Sequence, residues 1–154
     1  MNWDWIFQAA NIWAMAAWGA LLLLPRGPII MSAIFYAAMG MLCLAYTVLL
    51  ILLQGAWVDP GAQADAAFVS FTSLEGVRAI FASDAGVTLG WMHYLTFDLF
   101  VGIWISRDAD AKGFSRWVQA PFLLLTLFFG PAGLLWWLAL REKRARKGAR
   151  RKMN

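Results

Sequence analysis

Apolar residues run in four long stretches, roughly 5–24, 29–53, 86–106 and 117–140. A helix that crosses the hydrocarbon layer of a bilayer takes about 20 such residues, so each stretch is long enough to span. Between the second and third stretches the chain is too polar to cross. There, Phe68, Phe71, Leu74, Val77 and Phe81 recur at helical spacing and Ser73 is placed to cap the turn that follows. This pattern predicts a short amphipathic helix within 66–83, lying on the membrane surface or closing the bundle as a lid. The expected fold is all-α: a four-transmembrane-helix bundle with a short interfacial helix, in one membrane domain over 1–140, followed by a tail over 141–154.

Breakers sharpen the boundaries. Pro25-Arg26-Gly27-Pro28 separates the first two stretches by four residues, which makes them an antiparallel helical hairpin. Asp59-Pro60-Gly61 is turn chemistry after the second stretch. Along that second stretch Tyr36, Gly40, Cys43 and Thr47 follow steps of four, three and four, so this polar and small face is expected to look into the bundle. Pro131 in the fourth stretch leaves the carbonyl of Leu127 without its usual donor and predicts a kink, where Gly130 and Gly133 let a helix or a flat ligand approach the backbone.

Composition fits a membrane protein, with 62% hydrophobic and 14% charged residues. The net charge of +4 is concentrated rather than spread. Arg141, Lys143, Arg144, Arg146, Lys147, Arg150, Arg151 and Lys152 lie in the tail, which reads as a topological anchor attracted to anionic lipid and not as a nucleic-acid site. Under the positive-inside rule the tail is cytoplasmic. Four spans then put the N-terminus and the 54–85 loop on the same side, leaving Arg26, Arg107, Lys112 and Arg116 outside. The expected location is a bacterial inner (cell) membrane with both termini cytoplasmic. The start, Met1-Asn2-Trp3-Asp4-Trp5, lacks signal-peptide features, so the first span is expected to be retained. Cys43 is the sole cysteine, which excludes disulfides within the chain and cysteine-type zinc sites.

Chemistry concentrates in the third stretch, which carries the only histidine and a mid-span carboxyl. A carboxyl buried near a bilayer centre costs a few kcal/mol even on lenient insertion scales, and so needs a structural or functional reason. Trp91, Tyr94, Asp98 and Gly102 share one helical stripe, while His93, Phe97, Phe100 and Trp104 form another about 100 to 140 degrees away. Asp98 and His93 therefore do not pair directly. Partners for Asp98 are sought at Tyr94, at Tyr36 or Thr47, and at Gln8 or Asn11. The carboxyl either holds the bundle together through hydrogen bonds or serves as a general acid, Asp98, His93 and Tyr94 being the candidate catalytic residues. A single histidine cannot make a two-histidine haem or zinc site in one chain, and no lysine lies in a span to form a retinal Schiff base. No metal or consumed cofactor is expected. Trp91, Phe97, Trp104, Tyr36 and Gly130 are the residues expected to line a site for a carotenoid, a related isoprenoid or a chlorin.

The run Ser73-Leu74-Glu75-Gly76-Val77-Arg78, then Gly90-Trp91-Met92-His93-Tyr94-Leu95-Thr96-Phe97-Asp98-Leu99-Phe100-Val101-Gly102-Ile103-Trp104-Ile105 and Arg107-Asp108, then Pro121, Leu125-Thr126-Leu127 and Gly130-Pro131-Ala132-Gly133-Leu134-Leu135, resembles the abscisic-acid-deficient-four-like family. Thr96 stands where the family often has alanine. The resemblance covers about residues 70 to 140. It implies an integral membrane protein, and the plant members' association with neoxanthin formation from violaxanthin implies a redox-neutral opening of an epoxide to an allenic alcohol. In such a step an acid protonates the epoxide oxygen and a base, His93 or water, removes a polyene proton. The alternative is a non-enzymatic pigment-binding protein, a homo-oligomer, or an accessory subunit of a larger pigment–protein complex in the membrane.

Overall fold

A computed structural model describes residues 1–61 and 70–153, with side chains through Glu142. The described residues form helices and turns only. Helix α1 is Trp3–Leu23, and its first turn is capped by the Asn2 side chain, which accepts from the Trp5 N–H at 3.1 Å. Helix α2 is the continuous apolar rod Pro28–Gln54, with Pro28 in its first turn. These two are the helices long and apolar enough to cross a membrane. A short α3 (Leu74–Ile80) starts at Ser73, whose hydroxyl accepts from Gly76 N–H. The central helix is α4, Asp84–Ala111, capped by Ser83. Helices α5 (Arg116–Phe129) and α6 (Pro131–Met153) complete the chain.

The core lies along α4, which buries thirteen residues against α1, α2 and α5, among them Leu99, Ile103 and Ile105. From α1, Trp18 is fully buried, its six-membered ring seated where a Cβ on Gly102 would lie. Such aromatic seating contributes several kcal/mol, since truncating a buried Trp costs about 3–5.

The second stretch departs from expectation. Within α2, Ala33–Met39 is wound as a π-type segment, in which the Gly40 N–H reaches the Phe35 carbonyl five residues back. The wider turn rotates everything after it, so steps of four, three and four no longer define one face. Tyr36 is 73% exposed, Cys43 and Thr47 are exposed, and Ile34, Leu42 and Leu49 face the core instead. Thr47 satisfies its hydroxyl on the Cys43 carbonyl at 2.8 Å and needs no partner from the bundle.

The expected fourth span is not one kinked helix. It is two helices folded back on each other at Gly130, whose φ of +44° is a conformation that glycine adopts with little strain. Trp137 of α6 packs edge-on against Phe122 of α5 at 5.7 Å and against Phe114, just before α5, at 5.1 Å. Such contacts require α6 to retrace α5. At Gly133 a Cβ would fall 2.1 Å from the Thr126 hydroxyl and 2.4 Å from its backbone N, so only glycine lets the two helices touch there. Proline at the first position of α6 is what ends α5, because it brings no N–H for the preceding turn.

The hairpin reverses the expected placement of the tail. One end of the bundle, here the proximal end, holds the N-terminus: Trp3 Nε1 donates to the Asp59 carbonyl at 3.0 Å and Ala85 N–H to the Pro60 carbonyl at 3.0 Å. The distal end holds the Pro25–Pro28 turn and the end of α4. Arg141 also lies there, with Nε and Nη2 each 2.8 Å from the Asp108 carboxylate. N-terminus and tail therefore leave the bundle at opposite ends, which corrects the expectation of two termini on one side. The loop after α2 is proximal, opposite the tail. Of its expected amphipathic helix, residues 62–69 including Phe68 lie outside the described residues. The described part is the short α3, with Phe71 and Leu74 exposed and the Phe81 ring laid over Gly90.

Candidate functional site

Asp98 sits at the midpoint of α4 and is 8% exposed. Facing it is the apex of the α5–α6 hairpin: a Cβ on Gly130 would come within 2.7 Å of Asp98 Oδ1 and 3.2 Å of Oδ2. The helix break thus supplies the space that the carboxyl occupies. It also aims the positive end of α6, with its unpaired first N–H groups, at the depth of Asp98. Asp98 Oδ2 is buried with no hydrogen-bond partner from the chain, as are Trp18 Nε1 and Ser106 Oγ among the described residues. Buried polar atoms are ordinarily paired, so such an atom marks a place where a further group is accommodated.

Tyr94, one turn before Asp98, is its polar neighbour, and its hydroxyl donates to the Phe128 carbonyl near the apex at 3.3 Å. From Tyr94 an aromatic column runs toward the proximal end. Its ring stacks on Trp91 at 5.2 Å, and Trp91 stacks on Phe7 at 5.9 Å while donating from Nε1 to Asn11 Oδ1 at 2.8 Å. Asp98, Tyr94, Trp91 and Gly130 are therefore brought together.

The other expected site residues are elsewhere. His93 is exposed on a different face, its ring 4.5 Å from Phe97 and 6.1 Å from Tyr46. Phe97 goes with it. Trp104 lies toward the distal end, where the Arg141 guanidinium covers its ring at 5.4 Å. Tyr36 projects from α2 and meets Phe35 edge-on. Asn11 is engaged by Trp91 rather than Asp98, and Thr47 by its own helix. Two structural partners escaped sequence reasoning. Trp18 looked like any deep tryptophan, and Thr126, fully buried behind the apex, looked like one residue of an apolar run. Their only sequence signal is proximity to glycines, Gly102 and Gly133, that the fold uses as seats.

At the distal end a second polar cluster has a different character. Asp108 lies beyond the apolar part of α4 and accepts from Arg141, Lys112 and Trp137 Nε1. Burial opposes its ionisation, yet these donors win and hold its carboxyl down at about 2. Beside it, Gln119 is fully buried; its amide donates to Asp110 at 2.8 Å and to the Phe114 carbonyl at 2.9 Å, and its carbonyl accepts from Arg26. Arg26 also meets Asp110 at 3.3 Å, and Arg116 donates to the Leu24 carbonyl. Every one of these contacts ties the first turn or the hairpin to the end of α4. The cluster is structural.

No curated protein and no solved structure matches the chain. A family model described as ABA DEFICIENT 4-like matches residues 5–137, which contain both apolar helices, the Asp98 stripe and the whole hairpin up to Trp137. With a match over most of its length and two helices of spanning length and hydropathy, the chain is a membrane protein of the ABA DEFICIENT 4-like family.

Proposed function

We propose that this protein isomerises a carotenoid or a related isoprenoid, with Asp98 as the proton donor. The observation that carries this reading is a carboxyl held at mid-bundle against a broken helix, with Oδ2 buried and unpartnered. A carboxyl in that setting has little to gain from a purely structural role, since it makes no bond that ties α4 to its neighbours through Oδ2. The column Phe7, Trp91, Tyr94 gives a flat polyene an aromatic wall leading to it.

In the redox-neutral reaction, Asp98 gives its proton to an epoxide oxygen and the C–O bond breaks. A polyene C–H then yields its proton to water or to the Asp98 carboxylate, and a new double bond forms. Atoms and electrons balance with no cofactor consumed. His93 has no part in this step, because it faces away from Asp98.

The test is turnover of an epoxy-carotenoid by purified protein in detergent, read by chromatography. Asp98→Asn is expected to lower turnover at least 100-fold, in the range typical for loss of a general acid, and His93→Ala to leave it within about threefold. Unchanged turnover in Asp98→Asn overturns the assignment. A second reading, pigment binding without chemistry, is favoured by two apolar recesses between α1 and α2, about 270 and 310 Å³, that share Trp13 and are lined largely by alanines. Pigment that co-purifies stoichiometrically and is returned unchanged would support it.

A further inference from the structure

The distal end gathers nearly all of the positive charge of the chain. Arg26 lies in the first turn, Arg107 and Lys112 at the end of α4, Arg116 at the start of α5, and Arg141 on α6, which continues to Met153 with the remaining seven basic residues of the sequence. Arg78 is the one basic residue elsewhere, and the proximal end carries Asp4, Asp59, Glu75 and Asp84. Read as four crossings, the same residues split between two sides. The hairpin collects them on one.

Helix lengths agree. Helix α5 has 14 residues, about 21 Å at 1.5 Å each, short of the roughly 30 Å hydrocarbon layer. Its apex stops beside Asp98, halfway along α4. Buried against α4, the turn at Gly130 is the kind of break that a membrane interior tolerates. Exposed tryptophans mark the two ends, Trp117 at the start of α5 and Trp57 after α2.

We propose that the distal end rests on the anionic phospholipid headgroups of the cytoplasmic leaflet, with α5–α6 as a re-entrant hairpin dipping from that side. Three helices, α1, α2 and α4, cross the membrane, so the N-terminus and the loop after α2 face the outside. Charge complementarity decides the occupant: an uninterrupted basic face with Trp117 at its edge matches an anionic leaflet, and the proximal end, acidic on balance, does not. The assignment stands on helix placement and charge and is independent of the carotenoid reading.

Membrane-impermeant maleimide applied to intact spheroplasts tests it, in a Cys43→Ser background carrying either Asp4→Cys or Lys152→Cys. Asp4→Cys is expected to label at least tenfold faster than Lys152→Cys, which becomes reactive only after permeabilisation. Equal labelling of the two, or labelling of the tail alone, overturns the orientation. A second measurement addresses the headgroups. In nanodiscs, phosphatidylglycerol is expected to raise the melting temperature above that in phosphatidylcholine alone, and the gain is expected to shrink in high salt and in a variant with Lys143, Arg144, Arg146 and Lys147 changed to Gln. A melting temperature indifferent to phosphatidylglycerol overturns the lipid assignment.

Discussion

The two ends of this bundle are closed by different physics. At the proximal end Trp3 and Ala85 donate to the carbonyls of Asp59 and Pro60, neutral bonds that pin a loop. At the distal end charged and amide side chains from four segments converge, with Asp108 held by three donors and buried Gln119 by Arg26, Asp110 and Phe114. Neutral bonds suffice where only a loop must be held. Docking a hairpin whose apex stays at mid-depth takes a stronger clasp at its open end, because the apex itself offers Asp98 a seat but no bond to Oδ2.

The contrast can be broken most severely at the hairpin's crossing point. Gly133→Leu places a side chain where Thr126 backbone already lies and is expected to abolish hairpin docking, read as loss of the folded species in size-exclusion chromatography. Next in size, Gln119→Leu removes the carbonyl that faces buried Arg26; leaving a buried donor unsatisfied costs about 1–3 kcal/mol, measurable as a lower melting temperature. Acid separates the ends by sign. A carboxyl whose value is depressed on folding stabilises fully above its unfolded value and loses that contribution as pH falls through its folded one. The Asp108 clasp is therefore expected to weaken between about pH 4 and 2, and Trp137 fluorescence to report it, while Asp108→Asn flattens the response in that window. The proximal bond is the smallest lever: Trp3→Phe keeps the ring and deletes one neutral hydrogen bond, a cost of about 1 kcal/mol. A loss at Trp3 as large as that at Gln119 would remove the distinction between the ends.

Much of the local structure was legible from residue order. The Pro25–Pro28 turn, the Ser73 cap and the stripe joining Trp91, Tyr94, Asp98 and Gly102 are set by short-range chemistry and a single period, and they stand where the pattern puts them. The family, too, was carried by residues from Ser73 to Leu135. The face of α2 was misjudged because a π-type segment changes the period partway along the helix, and nothing in Ala33–Met39 announces it. The partners of Asp98 were sought among polar side chains, whereas its nearest neighbour is the backbone of a glycine.

Hydropathy by itself determined that the chain is helical and membrane-bound, that two helices have spanning length, and that an acid lies amid an apolar stretch. All of these follow from transfer free energy and helical period, which each segment carries alone. Only the tertiary structure decided that residues 117–140 turn back instead of crossing. A proline in an apolar run ends or bends a helix either way, and the difference lies in whether Trp137, Arg141 and Gly133 find Phe122, Asp108 and Thr126. Those contacts join residues far apart in the chain, and from them follow the seat of Asp98 and the gathering of basic charge at one end.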